Sequence, residues 1–356
     1  MKIVLDNIIF SLQTCGGISG MFSRLVSGLQ RAPGVELFAI ERDDATRNIF
    51  RQQIDIPPSQ IIRASGPLRI DRYTPVSPSL IPFDEPFIFH SSYYRYCRHP
   101  KAIGVTTLHD FTYEVMRLYG WLPTLVHSRQ KNQALRHSRA VACVSHATLS
   151  DFRRLLPSTP GQIVEVIPNA PLCTPRPDAA PSTRRNRDVL FVGARAYNKN
   201  FSLLVDALVD TDWRLVLCSS TLTPDELSRL ERKLQPGQWE IHVFPDDDAL
   251  SRIYSRSHCL VYPSSYEGFG IPIIEAQEHG LPVVTGPCPA SVEIGGGAAI
   301  VMDDYTPEAL RTALQRLRDP QVCTTLAEQG RANAARYRWD EIVAAYLRLY
   351  SSGLRS

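Results

Sequence analysis

The stretch VYPSSYEGFGIPIIEAQEHGLPVVTG, Val261 to Gly286, reads as strand, turn, helix and strand in one short run. The apolar HCLVYPSS segment is strand-like, IPIIEAQEH is a helix closed by Gly280, and LPVVTG starts the next strand. That order describes a parallel βαβ unit, in which the turn Glu267-Gly268-Phe269-Gly270 lies at the carboxyl edge of a sheet. Pro272 falls in the first turn of the helix, where its missing N–H costs nothing. Amides near Gly268 to Ile271 project from the positive helix end, and glycine lets a ligand approach the backbone. Glu267 and Glu275 flank this site. Carboxylates bind phosphate poorly but accept well from the paired hydroxyls of ribose or hexose. A ligand carrying sugar hydroxyls beside a diphosphate would use every part of the array. The competing reading is a carboxylate pair that merely favours a helix N-terminus. For Glu267 alone both readings stand; the whole array fits the ligand better.

Moving outward, DVLFVGA, WRLVLCS, WEIHVFP, HCLVYPS, LPVVTG and AAIVM supply the strands of the second half. Thr223, Pro224 and Glu226 form a capping-box pattern before one helix, and Thr306 with Pro307 repeats the device. Arg195 and Lys199 follow strand 189–194 in FVGARAYNKN, at the same sheet edge as Glu267. One arginine and one lysine can neutralise two phosphate charges without a metal. Solvated surface cations are the alternative, and placement after FVG weighs against it. Asp246-Asp247-Asp248 contains an Asp-x-Asp, but it directly precedes a helical pattern and reads as a capping cluster. No metal site is expected.

In the first half KIVLDNI, VELFAIE, FIFHSS, AIGVTTLHD and AVACVS read as strands, with MFSRLVSGLQRA and TLVHSRQKNQALRHS as helices between them. Gly16 and Gly17 lie between the first strand and the first long helix, as a phosphate-approaching loop or an ordinary one. His109 and Asp110 end a strand. Asp110 caps the next helix or faces a ligand, and His109 is a structural histidine or a partner for a sugar hydroxyl.

The remaining features set bounds. Residues 1–170 carry a net charge of +6 and the rest −3. Val115 to Ser150 contains no acid while holding Arg117, Arg129, Lys131, Arg136 and Arg139. That leaves two readings for the segment, an anionic surface or partner and a solvated basic helix face. The eight cysteines include no CxxC pair, and several sit in apolar runs, which predicts a reducing compartment and no disulfide framework. The opening MKIVLD reaches a strand too early for a leader, and no apolar run approaches the roughly 18 residues a membrane span needs. A cytoplasmic protein is expected, at most resting on a membrane surface. Residues 168–188, rich in proline and charge, read as a linker, and RWDEIVAAYLRLY places Ile342, Tyr346 and Tyr350 on one helical face that must dock. The fold class is therefore α/β, with two doubly wound domains facing a central cleft.

In its order of motifs the chain resembles the family 4 retaining glycosyltransferases, of GT-B architecture with two Rossmann-like domains. The most specific piece is the E-x7-E element EGFGIPIIE. TCGGISGMFSRL, TTLHDF, CVSHATLSDF, VIPNA, FVGARAYNKN, ASVEIGGGAA and the terminal RYRW support it. The resemblance implies an acceptor-binding domain at 1–170, a linker at 171–188, a nucleotide-sugar domain at 189–338, and a helix at 339–356 returning to the first domain. It implies that Glu267 contacts the donor sugar, with the amides of Gly268, Phe269 and Gly270 near its hydroxyls. Gly193, Asn200 and Ile271 fall on the same donor side. Glu275 would hold the ribose, Arg195 and Lys199 the diphosphate. His109 and Asp110 would approach the transferred sugar, and Gly16 and Gly17 would line the acceptor side.

No cofactor, metal or nucleic acid is implied. The substrates would be a nucleotide sugar, most simply a GDP-sugar, and a glycan or lipid-linked glycan acceptor at the inner face of the cytoplasmic membrane. GVTTLHDFTYE and FHSSYYR look most like bacterial mannosyl- and rhamnosyltransferases of surface polysaccharide such as O-antigen. Two departures stand out: Asn200 where many relatives carry glycine, and VFPDDD in place of a glycine-bearing loop near the base. UDP- or dTDP-sugar transfer, a nucleotide-sugar epimerase, a phosphorylase and a non-catalytic sugar- or membrane-binding module are the alternatives. Free nucleoside diphosphate appearing only with acceptor separates transfer from the rest.

Overall fold

The computed structural model describes residues 1–117, 120–157, 159–176 and 187–355. The chain divides into two units, one formed by Met1–Ala170 with Trp339–Ser356 and the other by Pro171–Arg338.

The first unit is built on a seven-stranded sheet of β1 (Lys2–Asp6), β2 (Glu36–Glu41), β3 (Ile61–Arg63), β4 (Phe87–Ser91), β5 (Ala102–Leu108), β6 (Ala140–Cys143) and β7 (Ile163–Val166), ordered β3-β2-β1-β4-β5-β6-β7. All pairings are parallel. Its central strands are buried on both faces, as the continuous apolar runs of β1 and β4 require. The edge strands β3 and β7 escape the sequence reading because each is short and only half-buried.

The helix Trp339–Arg355 completes this unit. Tyr346 and Tyr350 are fully buried. The Tyr350 hydroxyl shares a 2.7 Å hydrogen bond with His90 Nδ1 on β4, and the Tyr346 hydroxyl one of 2.8 Å with Thr107 Oγ1 on β5. Burial pushes His90 down to about 3, so the ring is neutral and joins Thr107 as well, at 2.9 Å. Against the helix Gly17–Gln30 the terminal helix comes so close that a Cβ on Gly28 would meet Val343 Cγ2 at 2.3 Å. Only glycine permits that approach.

The second unit holds β8 (Asp188–Val192), β9 (Arg214–Ser219), β10 (Trp239–Val243), β11 (Cys259–Tyr262), β12 (Val283–Thr285) and β13 (Ile300–Val301), ordered β10-β9-β8-β11-β12-β13 and parallel throughout. All six strands are those expected. Thr223 and Glu226 form the capping box, Thr306 caps its helix, and Asp246 accepts from Ala249 N as an N-cap. In both sheets the strand order reverses once, between β1 and β4 and between β8 and β11. In open α/β sheets ligands bind beyond the carboxyl ends of the strands at such reversals.

The segment expected as a linker is already packed at both ends. Cys173 is buried, and Asp188, also buried, opens β8 with a two-pronged ion pair to Arg214 at 2.8 and 2.9 Å. Residues 177–186 of that segment lie outside the described residues, as does Tyr119 in the basic stretch.

Candidate functional site

In the second unit the loops after β8 and β11 meet at the strand-order reversal. The 198–200 turn is laced to the 263–267 loop. Asn198 Nδ2 donates to the Tyr266 carbonyl at 2.9 Å, Asn200 Nδ2 to that of Pro263 at 2.8 Å, and Ser265 N to that of Asn198 at 2.8 Å. Asn200 sits in the left-handed region at φ 50°. Asparagine, like aspartate, adopts that conformation more readily than most side chains other than glycine, which suits it to a position where a glycine was expected.

This lacing aims Lys199 at the β11 loop. Its ammonium donates to the Tyr262 hydroxyl at 2.9 Å and pairs with the Glu267 carboxylate. Burial works against the charge, but Glu267 and then Tyr262 outweigh it and hold the ammonium above its usual range. The side chains of Lys199 and Glu267 retain 20% and 11% of their exposure, so the pair is reachable. Just beyond it, Gly270 takes φ 111° and begins the helix Ile271–Glu278, which has no side-chain cap and carries proline in its first turn. Phe269 is buried edge-on against Tyr337 at 5.8 Å, fixing the loop that carries Gly268. Gly193, at the end of β8, hydrogen-bonds the Cys218 carbonyl at 3.0 Å.

Glu275 is held elsewhere. It is only 4% exposed, and Oε1 accepts from the amides of Leu172 and Cys173 at 3.1 and 3.0 Å while Oε2 accepts from the Tyr254 hydroxyl at 2.7 Å. Burial raises its carboxyl above the ordinary range in spite of these three donors. Arg195 is also engaged within the unit. Nε and Nη2 grip Glu226 at 2.7 and 2.9 Å, and the other donors go to Ser219 Oγ and the carbonyls of Ser220 and Thr221. All five N–H groups are thus taken, and Arg195 braces the β8 loop against the capping box. Sequence reasoning gave Arg195 and Lys199 equal weight; the structure brings only Lys199 to Glu267. Tyr262, Asn198 and Tyr254 were missed, because each matters only through a partner distant in the chain.

In the first unit His109 ends β5, with its backbone N–H on the Tyr94 hydroxyl at 3.3 Å. Burial pushes its ring down to about 4, and Nε2 is buried without a hydrogen-bond partner among the described residues. Asp110 accepts from Thr112 N at 2.8 Å, which closes a turn one residue before the helix Thr112–Met116, whose N-cap is Phe111 rather than Asp110. Burial opposes its charge, but Lys131 and Thr112 outweigh it and keep the carboxyl below its usual range. Lys131, counted from sequence among the basic helix-face residues, is instead fully buried. It donates to the Asp110 carbonyl and to Glu114, both at 2.8 Å. Gly16 and Gly17 form no free loop: Gly17 is the first residue of the helix Gly17–Gln30, and Gly16 accepts from Gly20 N at 2.9 Å. Among the described residues no helix is long and apolar enough to cross a membrane.

The carboxyl-terminal unit thus places an ammonium, a carboxylate and an uncapped helix start at one sheet edge. Such a set can receive phosphate and sugar hydroxyls together. Residues 178–333 match the family model described as glycosyl transferases group 1. The O-antigen chain mannosyltransferase B of Escherichia coli is 26% identical over 284 residues, covering 74% of either chain. The GDP-mannose:cellobiosyl-diphosphopolyprenol alpha-mannosyltransferase of Komagataeibacter xylinus is 28% identical over 189 residues, covering 50% of this chain and 48% of that protein. Among solved structures, Anabaena Alr3699/HepE, in complex with UDP and glucose, superposes with a TM-score of 0.74 at 17% identity over 99% of this chain and 100% of its own. The likeness in structure establishes the GT-B fold, two Rossmann-like units in one chain.

Proposed function

We propose, from the match of residues 178–333 to the glycosyl transferases of group 1, that the chain is such an enzyme and moves a hexosyl group from a nucleotide sugar to a glycan or lipid-linked glycan of a bacterial surface polysaccharide. The sugar is mannose or a related deoxyhexose and the nucleotide is GDP, in keeping with the printed activities of the two mannosyltransferases above. The UDP and glucose held by Anabaena Alr3699/HepE favour the second reading, a UDP-sugar donor.

The observation that carries the proposal is the Lys199–Glu267 pair between the β8 and β11 loops. A donor diphosphate competes with Glu267 for the Lys199 ammonium, since phosphate offers more acceptor oxygens and more charge. Glu267 is then released to accept from a hydroxyl of the donor sugar, while the amides from Gly268 to Ile271 lie beside it. The anomeric carbon–oxygen bond to phosphate breaks and the bond to the acceptor oxygen forms on the same face. The acceptor proton passes to the departing diphosphate, so configuration is retained and no metal enters the balance. Lys199 supports this step by holding the charge that develops on the leaving oxygen. Neutral His109 offers Nε2 to a sugar hydroxyl on the acceptor side. Asp110, occupied by Thr112, sets the register of that turn. Glu275 clamps the ribose only by exchanging one of its present partners, and Arg195 reaches phosphate only by leaving Glu226.

A thermal-shift panel of GDP, UDP, dTDP and ADP tests the donor assignment: GDP should stabilise the chain most, and Lys199→Ala should abolish the shift. Stoichiometric release of free nucleoside diphosphate in the absence of acceptor would overturn transfer in favour of hydrolysis, and an isomerised nucleotide sugar with no free diphosphate would overturn it in favour of an epimerase. The helix Trp121–Arg136 exposes Trp121, Leu122 and Leu125 beside Arg129 and Arg136, which supports peripheral contact with an anionic membrane through residues 115–150. Sedimentation with anionic vesicles should fall as salt rises; binding unaffected by salt or by removal of the anionic lipid would refute that contact.

A further inference from the structure

A cavity of about 480 Å³ opens in the first unit between the 73–75 segment, the loop after β4 and the helix Trp121–Arg136. Three arginines (Arg95, Arg98, Arg129) and three tyrosines (Tyr73, Tyr94, Tyr96) line it, and none of its lining residues is acidic. Arg95 is anchored by Asp6 and by the Thr74 carbonyl, both at 3.0 Å, and its remaining N–H groups have no partner among the described residues. Arg98 and Arg129 are exposed and make no ion pair among the described residues. Gln130 is only 8% exposed, and its Nε2 donates to the Arg72 carbonyl at 2.5 Å. Its Oε1 is buried on the cavity wall with no partner among the described residues. A polar atom so placed calls for a donor supplied by something that fills the space.

The walls are built to stay open. Val76 N bonds the Tyr96 carbonyl at 2.8 Å and Arg98 N the Val76 carbonyl at 3.1 Å, which staples the two loops together. Tyr94 is held at φ 49°, a left-handed conformation costing a tyrosine roughly 1–2 kcal/mol. It persists because Tyr94 is buried beneath the His109 amide. The cavity therefore adjoins the carboxyl ends of β4 and β5, where His109 emerges. Aromatic faces among guanidinium groups, two of them outside any ion pair among the described residues, suit a sugar ring that bears negative charge, and the volume suits a group of monosaccharide to disaccharide size.

We infer that this cavity is a recognition subsite for an anionic group on the acceptor, a phosphate or a carboxylate carried by a glycan. The inference rests on the transferase reading above and narrows its acceptor. Arginine supplies fork geometry that either oxyanion can use, Gln130 Oε1 accepts from a neighbouring hydroxyl, and the tyrosines give the ring a platform.

The test is isothermal titration of the full chain, first saturated with the nucleoside diphosphate that stabilises it most, so that the donor phosphate site is blocked. Three probes are inorganic pyrophosphate, trigalacturonate and neutral mannotriose. At least one anionic probe should bind about tenfold or more tightly than mannotriose. Pyrophosphate alone identifies a phosphate-bearing acceptor, such as a diphosphate-linked glycan, and trigalacturonate alone identifies an acidic sugar. Arg98→Ala with Arg129→Ala, both at exposed positions that leave the core intact, should weaken anion binding by about tenfold or more while the nucleotide shift is unchanged. Equal binding of mannotriose, no binding of either anion, or anion binding indifferent to the double variant overturns the inference. A wild-type chain that shows no shift with any nucleotide instead overturns the transferase reading, and the same titration on the unsaturated protein still decides the cavity.

Discussion

The strand-order reversals of the two units are built alike and finished differently. At the β8/β11 reversal the cation is Lys199, paired with Glu267 while both side chains keep a measurable share of solvent. At the β1/β4 reversal the cation is Arg95, paired with Asp6 at 3.0 Å, and the two side chains are 6% and 1% exposed. Ser91 donates to the same carboxylate at 2.8 Å. Burial pushes the Asp6 carboxyl up, against the pull of Arg95. A reachable pair can trade one partner for a ligand, whereas a sealed one cannot without stranding a charge. Burial, more than residue type, decides which reversal offers a ligand an exchangeable charge and which acts as a structural clasp. In the first unit ligand space is displaced sideways, into the cavity beside the clasp.

Breaking the clasp should give the largest effect on stability. Asp6→Ala leaves Arg95 uncompensated and should cost about 3–5 kcal/mol in urea unfolding; a loss below about 1 kcal/mol would mean the pair is solvated after all. Lys199→Ala should reverse the pattern, lowering kcat by about 10²–10³-fold. Its effect on the urea midpoint should be slight, and a midpoint that collapses would make Lys199 a clasp too. Gly270→Ala tests the frame of the exchangeable site. At φ 111°, with a Cβ only 3.0 Å from Ile273 Cδ1, it should cost about 1–2 kcal/mol and weaken nucleotide stabilisation.

The smallest effect concerns pH. Burial, and then the neighbouring Glu275, raise Glu278 from 4.5 to about 7. The folded state therefore favours its protonated form, a contribution present below about pH 4.5 and lost as pH rises through about 7. Glu278→Gln should flatten that decline in Tm between pH 5 and 8. An unchanged slope would assign the pH dependence to other groups.

The second unit was legible in sequence almost throughout, since most of its strands are apolar runs, β10 alternates apolar and polar residues, and several helices open on Thr-Pro or Asp caps. Lys199 and Glu267 could be found because each follows a strand at the same sheet edge, which topology alone brings together. Arg195 looked equivalent, yet its direction is set by Glu226 beyond the next strand, and no local pattern carries that information. Lys131 misled for the opposite reason. A basic helix with no acids reads as a solvated face, while the Asp110 carbonyl and Glu114 draw that one lysine inside. Edge strands β3 and β7 were invisible because they are both short, three and four residues, and only half-buried, whereas the longer half-buried β10 shows its alternation. The cavity, too, was illegible: its arginines and tyrosines come from three separate segments, which the staple at Val76 and the bond from Gln130 to the Arg72 carbonyl draw together.

The docking of Trp339–Arg355 onto β4 and β5 also orders events during synthesis. His90 and Thr107 receive their tyrosine partners from residues 260 and 239 positions later. A nascent chain that has exposed only its first 170 residues can form the sheet but must leave that face uncovered and its polar groups wet. The second unit, continuous from Pro171 to Arg338, has everything it needs as soon as it emerges. Domains commonly fold as they leave the ribosome, amino-terminal first; here the later-made unit is the first able to finish. The earlier one cannot cover that face of its sheet until its last helix has been translated.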